Sequence, residues 1–208
     1  TALKPEDKWI LTKYQKTIYD TKKFMDKYEF NNAGAVIYDF TWNYFCDYYI
    51  EMAKYGVDTT STKSTLCFVL TGILKLLQPF MPYVTDEIYS KLPVKDAEDI
   101  MIASYPKYDK KMIADKIETR MDLVRDLISL GRNAREEAKI KVRQPISEVI
   151  FDDKYKELIG DMDSLIKEEL NVKEVNYVEN INKACSDCIS MILTDGTQIY
   201  MQFFNKYF

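Results

Sequence analysis

Cationic side chains are concentrated in the short segment from residue 131 to residue 145, where they outnumber carboxylates five to two. The five are Arg132, Arg135, Lys139, Lys141 and Arg143. On a helix, Arg132, Arg135 and Lys139 follow at i, i+3 and i+7 and share one face, where they could bind phosphates or stack on bases. The alternative is a solvated helix C-terminus, because cations favour that end of the helix dipole. Spacing alone leaves both interpretations open.

Aromatic side chains are crowded between residues 40 and 51. Seven of these twelve positions are apolar or aromatic, which is more than one buried helix face holds. They are Phe40, Trp42, Tyr44, Phe45, Tyr48, Tyr49 and Ile50. One interpretation is that Trp42 or Tyr44 stacks on an unpaired base, as recognition of single-stranded RNA often requires. The other is that these rings only fill the core and an interface.

The chain contains no histidine. This excludes the usual general base, the commonest zinc ligand and every Ser-His-Asp or Cys-His arrangement. An enzyme of this sequence would have to use carboxylates, Lys, Tyr or Cys. The adjacent carboxylates Glu136-Glu137 and Glu168-Glu169 are expected on exposed helix faces, where neighbouring side chains diverge, and this argues against general acid–base catalysis.

The four cysteines do not form a recognisable metal or disulfide framework. Cys185 and Cys188 have the spacing of a zinc knuckle or a redox pair, but no second cysteine pair and no histidine complete four ligands. We therefore expect no metal. Cys46 and Cys67 lie in apolar helical patterns, where reduced thiols pack as small hydrophobes, so a reducing, cytoplasmic compartment fits.

Net charge and hydropathy restrict the partners. The formal net charge is −4, so the chain as a whole does not attract nucleic acid, and any RNA contact must come from a local basic patch. We expect no DNA partner. There is no run of eighteen apolar residues, so we expect no membrane partner either.

Apolar residues recur with a helical period along the first two thirds of the chain. The predicted helices cover residues 4–30, 32–55, 64–77, 82–92 and 109–138. The third is apolar nearly all round, which indicates burial on most sides. The break at Gln78-Pro79-Phe80-Met81-Pro82 ends it and starts the fourth, whose apolar positions are Val84, Ile88 and Leu92.

After Gln144 the period changes to that of a small mixed segment. We predict strands at 148–151 and 173–178, a helix at 155–170, and a hairpin of strands 188–193 and 197–203 around Asp195-Gly196. The predicted fold class is therefore mainly α: a five-helix bundle in residues 1–143 followed by a small α+β module in residues 144–208.

Four sequence blocks occur in an order that resembles a known family. They are DKWIL (residues 7–11), WNYFCDYYIE (42–51), LLQPFMPYVTDEIY (76–89) and IMIASYP (100–106). Together they resemble the anticodon-binding helical bundle of valyl-tRNA synthetases, which are class I aminoacyl-tRNA synthetases. A later stretch, AREEAKIKVRQP (134–145) followed by EELNVK (168–173), is similar instead to isoleucyl-tRNA synthetases of the eukaryotic-like type.

The resemblance implies a tRNA partner, tRNAVal or tRNAIle, whose anticodon stem-loop the bundle positions. Phosphates would be bound by Arg132, Arg135, Lys139, Lys141 and Arg143, with Trp42 and Tyr44 as stacking partners. No cofactor is expected in this chain. In the family, ATP is used by a Rossmann catalytic domain of the same polypeptide, whose His-Ile-Gly-His motif a chain without histidine cannot contain.

Two further possibilities belong to other functional classes. Because the chain starts at a helix entry, we expect a piece of a larger ligase, but a stand-alone, synthetase-like protein-interaction module would use its aromatic helix on a protein partner. An enzyme that works with carboxylates or cysteine would need a cleft that the sequence does not indicate.

Overall fold

A computed structural model gives the architecture of most of the chain. It describes residues 3–54, 60–179, 188–192 and 198–202, the last two ranges by their backbone alone. The chain forms two compact units, residues 1–118 and residues 119–208. The domain boundary predicted between residues 143 and 144 stays a prediction. In the described ranges, no helix combines the length and apolar content needed to cross a membrane.

Helix α1 spans Pro5–Asp26 and begins as predicted, with a proline and two acidic residues in its first turn. Its buried face carries Trp9, Ile10, Tyr14 and Ile18. Asp7 is also buried, and it accepts hydrogen bonds from the hydroxyls of Tyr49 at 2.7 Å and Ser61 at 3.3 Å. These bonds join the start of α1 to two other helices and satisfy a carboxylate that burial would otherwise destabilise.

The second predicted helix is continuous but not uniform. Its parts are α2 (Phe30–Asp39), a π-helical segment (Phe40–Tyr49) and α3 (Ile50–Lys54). In the π-helical segment an amide donates to the carbonyl five residues earlier, as the Ile50 amide does to Phe45. The wider turn brings Phe40, Phe45 and Tyr49 into the core.

Helix α4 spans Thr60–Leu77 and begins four residues before the predicted start at residue 64. One broad face is buried, and Phe68 at the edge of that face is about half exposed. Gly72 lies on the buried face, and a Cβ atom added there would lie 1.8 Å from the Tyr14 hydroxyl oxygen. Glycine is therefore what allows the Tyr14 ring to lie against α4.

Helix α5 spans Pro82–Ser90 and restarts the chain at the second proline, as predicted. Two of its three apolar positions, Val84 and Ile88, are exposed, whereas Thr85 and Tyr89 are buried. The Tyr89 hydroxyl donates to Asp96 at 2.9 Å, so a residue in the following loop decides which face turns inward.

Helix α6 spans Asp115–Glu137 and confirms the fifth predicted helix. The elements that follow are β1 (Ile146–Asp152), α7 (Lys156–Ile159), α8 (Asp163–Leu170), β2 (Val172–Val178), β3 (Cys188–Ile192) and β4 (Gln198–Gln202). The described strands form one sheet in the order β2-β1-β4-β3, with β1 and β2 parallel and the other pairs antiparallel. The predicted fold class, mainly α with a small α+β module, is confirmed. The predicted turn at Asp195-Gly196 lies outside the described residues.

The helix predicted at residues 155–170 is divided at Gly160, which has a φ of +55°. Arg120 of α6 lies against this break and donates to the carbonyls of Leu158 at 2.8 Å and Ile159 at 2.9 Å, and to the Asp161 carboxylate at 2.7 Å. One guanidinium thus satisfies the carbonyls that the interrupted helix leaves without partners.

Replacing Gly72 by Ala should lower the free energy of unfolding by about 1–3 kcal/mol, because the new methyl group overlaps the Tyr14 hydroxyl. Urea unfolding monitored by circular dichroism measures this. Gly34→Ala is the matched control: its Cβ would meet only Phe80, at 3.9 Å, so the helix should gain about 0.5–1 kcal/mol. Equal effects of the two substitutions would contradict the close approach.

Candidate nucleic-acid interface

Arg135 lies in the last turn of α6 and is the most buried of the five predicted cations, with 1% of its surface exposed. Its Nε atom donates to the Leu170 carbonyl at 2.9 Å. Nη1 donates to the carbonyls of Lys141 at 3.2 Å and Gln144 at 3.0 Å. Nη2 donates to Leu170 again and to Asn171 at 3.1 Å. These contacts use all five N–H groups of the guanidinium.

The surroundings of Arg135 consist of carbonyl dipoles, and within the described part of the chain no carboxylate forms a salt bridge with it. Burial lowers the pKa of the guanidinium from its ordinary value, but arginine stays protonated at neutral pH. The structure therefore changes the expectation for Arg135. Its donors are already engaged by the backbone, so it organises the chain rather than presenting a charge to phosphate.

The end of α6 explains why the neighbouring cations point outward. The Lys139 amide donates to the Glu136 carbonyl, and the Ile140 amide donates to the Arg135 carbonyl, each at 2.9 Å. With Lys139 at a φ of +55°, this is the Schellman arrangement that ends many helices. The Gln144 amide then closes a turn on the Lys141 carbonyl at 2.9 Å.

The residues from Lys139 to Arg143 form what we call the cationic loop. Lys139, Lys141 and Arg143 are all exposed in it. The loop is held at two further points besides Arg135, because the Asn171 side chain donates to the Val142 carbonyl at 3.0 Å and the Ile146 amide donates to the Asn171 carbonyl at 3.0 Å. A fixed backbone thus presents three cationic side chains to solvent.

Arg132 lies one turn before Arg135 and forms an ion pair with Glu169 of α8. Its side chain is about half exposed, whereas Glu169 is buried. The expectation that Glu169 lies on an exposed face is therefore wrong. Its second oxygen, Oε1, has no hydrogen-bond partner among the described residues, so Arg132 is needed to compensate this buried carboxylate.

Trp42 and Tyr38 form an exposed aromatic pair on the outside of the second helix. Their surfaces are 55% and 64% exposed, and their rings lie nearly parallel, at 7°, with centroids 6.5 Å apart. Sequence reasoning selected Trp42 but missed Tyr38, although the four-residue spacing would have indicated it. Two exposed rings in this orientation can stack on unpaired bases.

Tyr44 is in a different environment from Trp42. Its ring packs against Trp9 with centroids 6.0 Å apart, and the Lys13 ammonium lies 5.0 Å from the ring centre. Lys13 also forms a salt bridge with Glu118 at 2.9 Å. These contacts assign Tyr44 to the packing of the first unit, and the structure does not place it beside Trp42 as a second free ring.

Glu118 is held between two lysines that the sequence did not single out. Lys13 and Lys16 both form salt bridges with it. Burial by itself would raise the pKa of Glu118, but the hydrogen bonds from Lys16 and Lys13 outweigh it and hold that pKa below its usual value. Lys16 also forms a salt bridge with Asp115 at 3.4 Å, so two carboxylates compensate the two lysines within the first unit.

The structure shows no group of three or more candidate metal ligands among the residues it describes. Of the Cys185–Cys188 motif, residues 185–187 lie outside the described ranges, and the side chain of Cys188 is not described.

Comparison with known proteins places these surfaces in a family context. Residues 7–151 match the family model described as the anticodon-binding domain of tRNA ligase. The valine–tRNA ligase of Listeria monocytogenes is 39% identical over 203 residues, which is 94% of this chain and 23% of the relative. That of Anoxybacillus flavithermus is 42% identical over 147 residues, covering 68% of this chain and 17% of the relative. That of Buchnera aphidicola is 32% identical over 197 residues, covering 89% of this chain and 20% of the relative.

The matched region is only a part of those relatives, since the chain spans 17% to 23% of their lengths. The family model includes the cationic loop and both rings of the aromatic pair.

Replacing Arg135 by Lys should lower the free energy of unfolding by about 3 kcal/mol or more, because one ammonium cannot donate to all four carbonyl groups. Arg143→Lys, in the exposed cationic loop, is the matched control and should change stability by about 0.5 kcal/mol or less. Chemical denaturation of both variants measures the difference. A negligible effect at Arg135 would show that these hydrogen bonds do not hold the loop.

Proposed function

This chain belongs to the family of anticodon-binding domains of tRNA ligases, and on that premise we propose that it binds the anticodon stem-loop of a valine-specific tRNA. The observation that carries the proposal is the family match over residues 7–151, together with valine–tRNA ligases as relatives along nearly the whole chain. Relatives of this kind over 203 residues favour valine over isoleucine, even though residues 134–145 and 168–173 are similar to isoleucine enzymes.

The proposed activity of the whole protein is ATP-dependent attachment of valine to its tRNA. In this proposal the chemistry belongs to a catalytic domain of the same polypeptide, and the present chain orients the tRNA. The division of labour fits a chain without histidine that matches about a fifth of its relatives. A cytoplasmic location stays a prediction.

The cationic loop is the proposed contact for the phosphate backbone. Its three cationic side chains are exposed, and the backbone that carries them is fixed by Arg135 and Asn171. Fixed cations bind phosphate at a smaller entropic cost than mobile ones. Arg132 adds the exposed half of its side chain, but its charge is shared with Glu169. Arg135 is not included, because its five donors are used inside the protein.

The aromatic pair is the proposed contact for an unpaired base. Base stacking on aromatic rings contributes about 1–3 kcal/mol per base and requires an accessible ring face. Trp42 and Tyr38 meet this requirement, whereas the ring of Tyr44 is engaged by Trp9 and Lys13. We therefore propose Tyr38 in place of Tyr44 as the partner of Trp42.

Replacing Lys139, Lys141 and Arg143 together by Ala should weaken binding of a tRNAVal transcript and flatten its salt dependence. Loss of three phosphate contacts lowers the slope of log K against log salt by about 2–3. Electrophoretic mobility shifts across a salt series measure both effects. The triple variant of Lys23, Lys27 and Lys63, which are also exposed, removes the same charge elsewhere and should leave the slope unchanged. Equal slopes in the two variants would remove the cationic loop from the interface.

Replacing Trp42 by Ala should weaken the same binding about tenfold or more without changing the salt slope, because stacking releases no counterions. Tyr83→Ala, on α5, removes a ring that is more exposed than Trp42, 88% against 55%, and is the control. A tRNAIle transcript that binds as tightly as tRNAVal would contradict valine specificity, and a chain that binds neither tRNA would instead be a protein-interaction module.

A further inference from the structure

A cavity of about 520 Å³ lies within the first unit, between α1, α4 and the segment 94–107. None of its walls belongs to the cationic loop or to the aromatic pair. The residues that define it are Tyr14, Ile18, Cys67, Phe68, Lys75 and Val94. Its volume is in the range of sites that bind drug-sized molecules, which is about 300–1,000 Å³.

The inner wall is built from an aromatic cluster that Gly72 makes possible. The Tyr14 ring meets Phe68 edge to face, with centroids 5.8 Å apart and planes at 89°. It also packs against Phe40 at 5.9 Å. Because Gly72 has no side chain, the Tyr14 hydroxyl reaches the space beside α4 that any other residue would fill. These contacts fix the position of the hydroxyl.

The Tyr14 hydroxyl is the polar group that points to a ligand. The residue is 2% exposed, and among the described residues no acceptor receives its proton. Burial raises the pKa of the Tyr14 phenol, and the nearby Tyr105 adds to the increase. The hydroxyl therefore stays a neutral donor at physiological pH. Buried donors are nearly always paired in native proteins, so this one is available for an acceptor on a bound molecule.

Two of the three charged groups that line the cavity balance one another, and the third, Lys107, is exposed to solvent. Lys75 forms an ion pair with Asp96, which also accepts a hydrogen bond from the Tyr89 hydroxyl at 2.9 Å. The hydrogen bond from Lys75 holds the pKa of Asp96 below its usual value, so this carboxylate is ionised at neutral pH. The Lys75–Asp96 pair has no net charge, solvent screens the charge of the exposed Lys107, and the apolar walls therefore favour a neutral ligand.

We propose that this cavity binds a neutral, mainly apolar small molecule that carries a hydrogen-bond acceptor for the Tyr14 hydroxyl. The aromatic and aliphatic walls bind the apolar body, and the hydroxyl fixes its orientation. Cys67 lies in the same wall, so the reactivity of its thiol indicates whether the cavity is occupied. The site is separate from the proposed tRNA contacts, so its existence does not depend on the proposed function.

The test uses benzophenone and diphenylmethane, which share two rings and differ in whether a carbonyl or a methylene group joins them. Ligand-observed NMR titration measures both affinities. We expect benzophenone to bind about fivefold more tightly, which corresponds to one neutral hydrogen bond. In Tyr14→Phe, which keeps the ring contacts, the two affinities should become equal while that for diphenylmethane stays the same. Failure of both compounds to bind, or a preference that persists in Tyr14→Phe, overturns the proposal.

The place of binding is tested with the two described cysteines. Cys67→Leu enlarges a side chain in the cavity and should weaken both probes, whereas Cys46→Leu, outside the cavity lining, should weaken neither. Thermal unfolding of both variants checks folding.

A second measurement needs no substitution. When the Cys67 thiolate displaces iodide from iodoacetamide, a carbon–sulfur bond forms, the carbon–iodine bond breaks and iodide leaves. Saturating benzophenone should slow this alkylation at Cys67 severalfold relative to Cys46, as mass spectrometry of the peptides shows. Unchanged relative rates would place the probes outside the cavity and overturn the proposal.

Discussion

The second unit depends on one buried guanidinium. Arg135 collects carbonyl groups from the turn after α6 and from the junction between α8 and β2. These two segments are about thirty residues apart in sequence, and β1 and β2 leave from them in parallel, with Ile146 opposite Val172. A planar group with five donors can hold two backbone segments in a fixed orientation, which an ammonium or an apolar side chain cannot do. Arg135 therefore sets the register in which β1 and β2 begin to pair.

Cations that look alike in the sequence have different roles in the structure. Arg120 stabilises the break at Gly160, Arg135 holds the chain reversal and Arg132 compensates Glu169. Beyond the end of α6, Lys139, Lys141 and Arg143 are all exposed, because the Schellman turn at Lys139 leads the chain outward. The basic segment thus contains arginines that stabilise the fold and exposed cations that are suited to binding phosphate.

The first unit depends on close contact between helices rather than on a buried charge. Gly72 lets Tyr14 lie against α4, and the π-helical segment brings three aromatic residues into the core while Trp42 stays outside. The same close contact leaves the Tyr14 hydroxyl beside a mainly apolar cavity, without an acceptor among the described residues. Dense packing of aromatic rings therefore leaves Trp42 exposed as a stacking surface and leaves the Tyr14 hydroxyl inside the unit.

The sequence by itself determined the helices and strands, the mainly α class, the exclusion of histidine-dependent chemistry and the family, because hydrophobic period, breakers and ordered blocks are local properties. Only the tertiary structure decided which face of α5 is buried, where the helix after β1 breaks, and what each arginine does. Arg132 and Arg135 are one turn apart and identical in type, yet the half-exposed Arg132 pairs with the buried carboxylate of Glu169, whereas Arg135 is enclosed by carbonyls. Hydrophobic periodicity distinguishes the faces of a helix. It does not identify the segments that pack on those faces, because these segments come from distant parts of the chain.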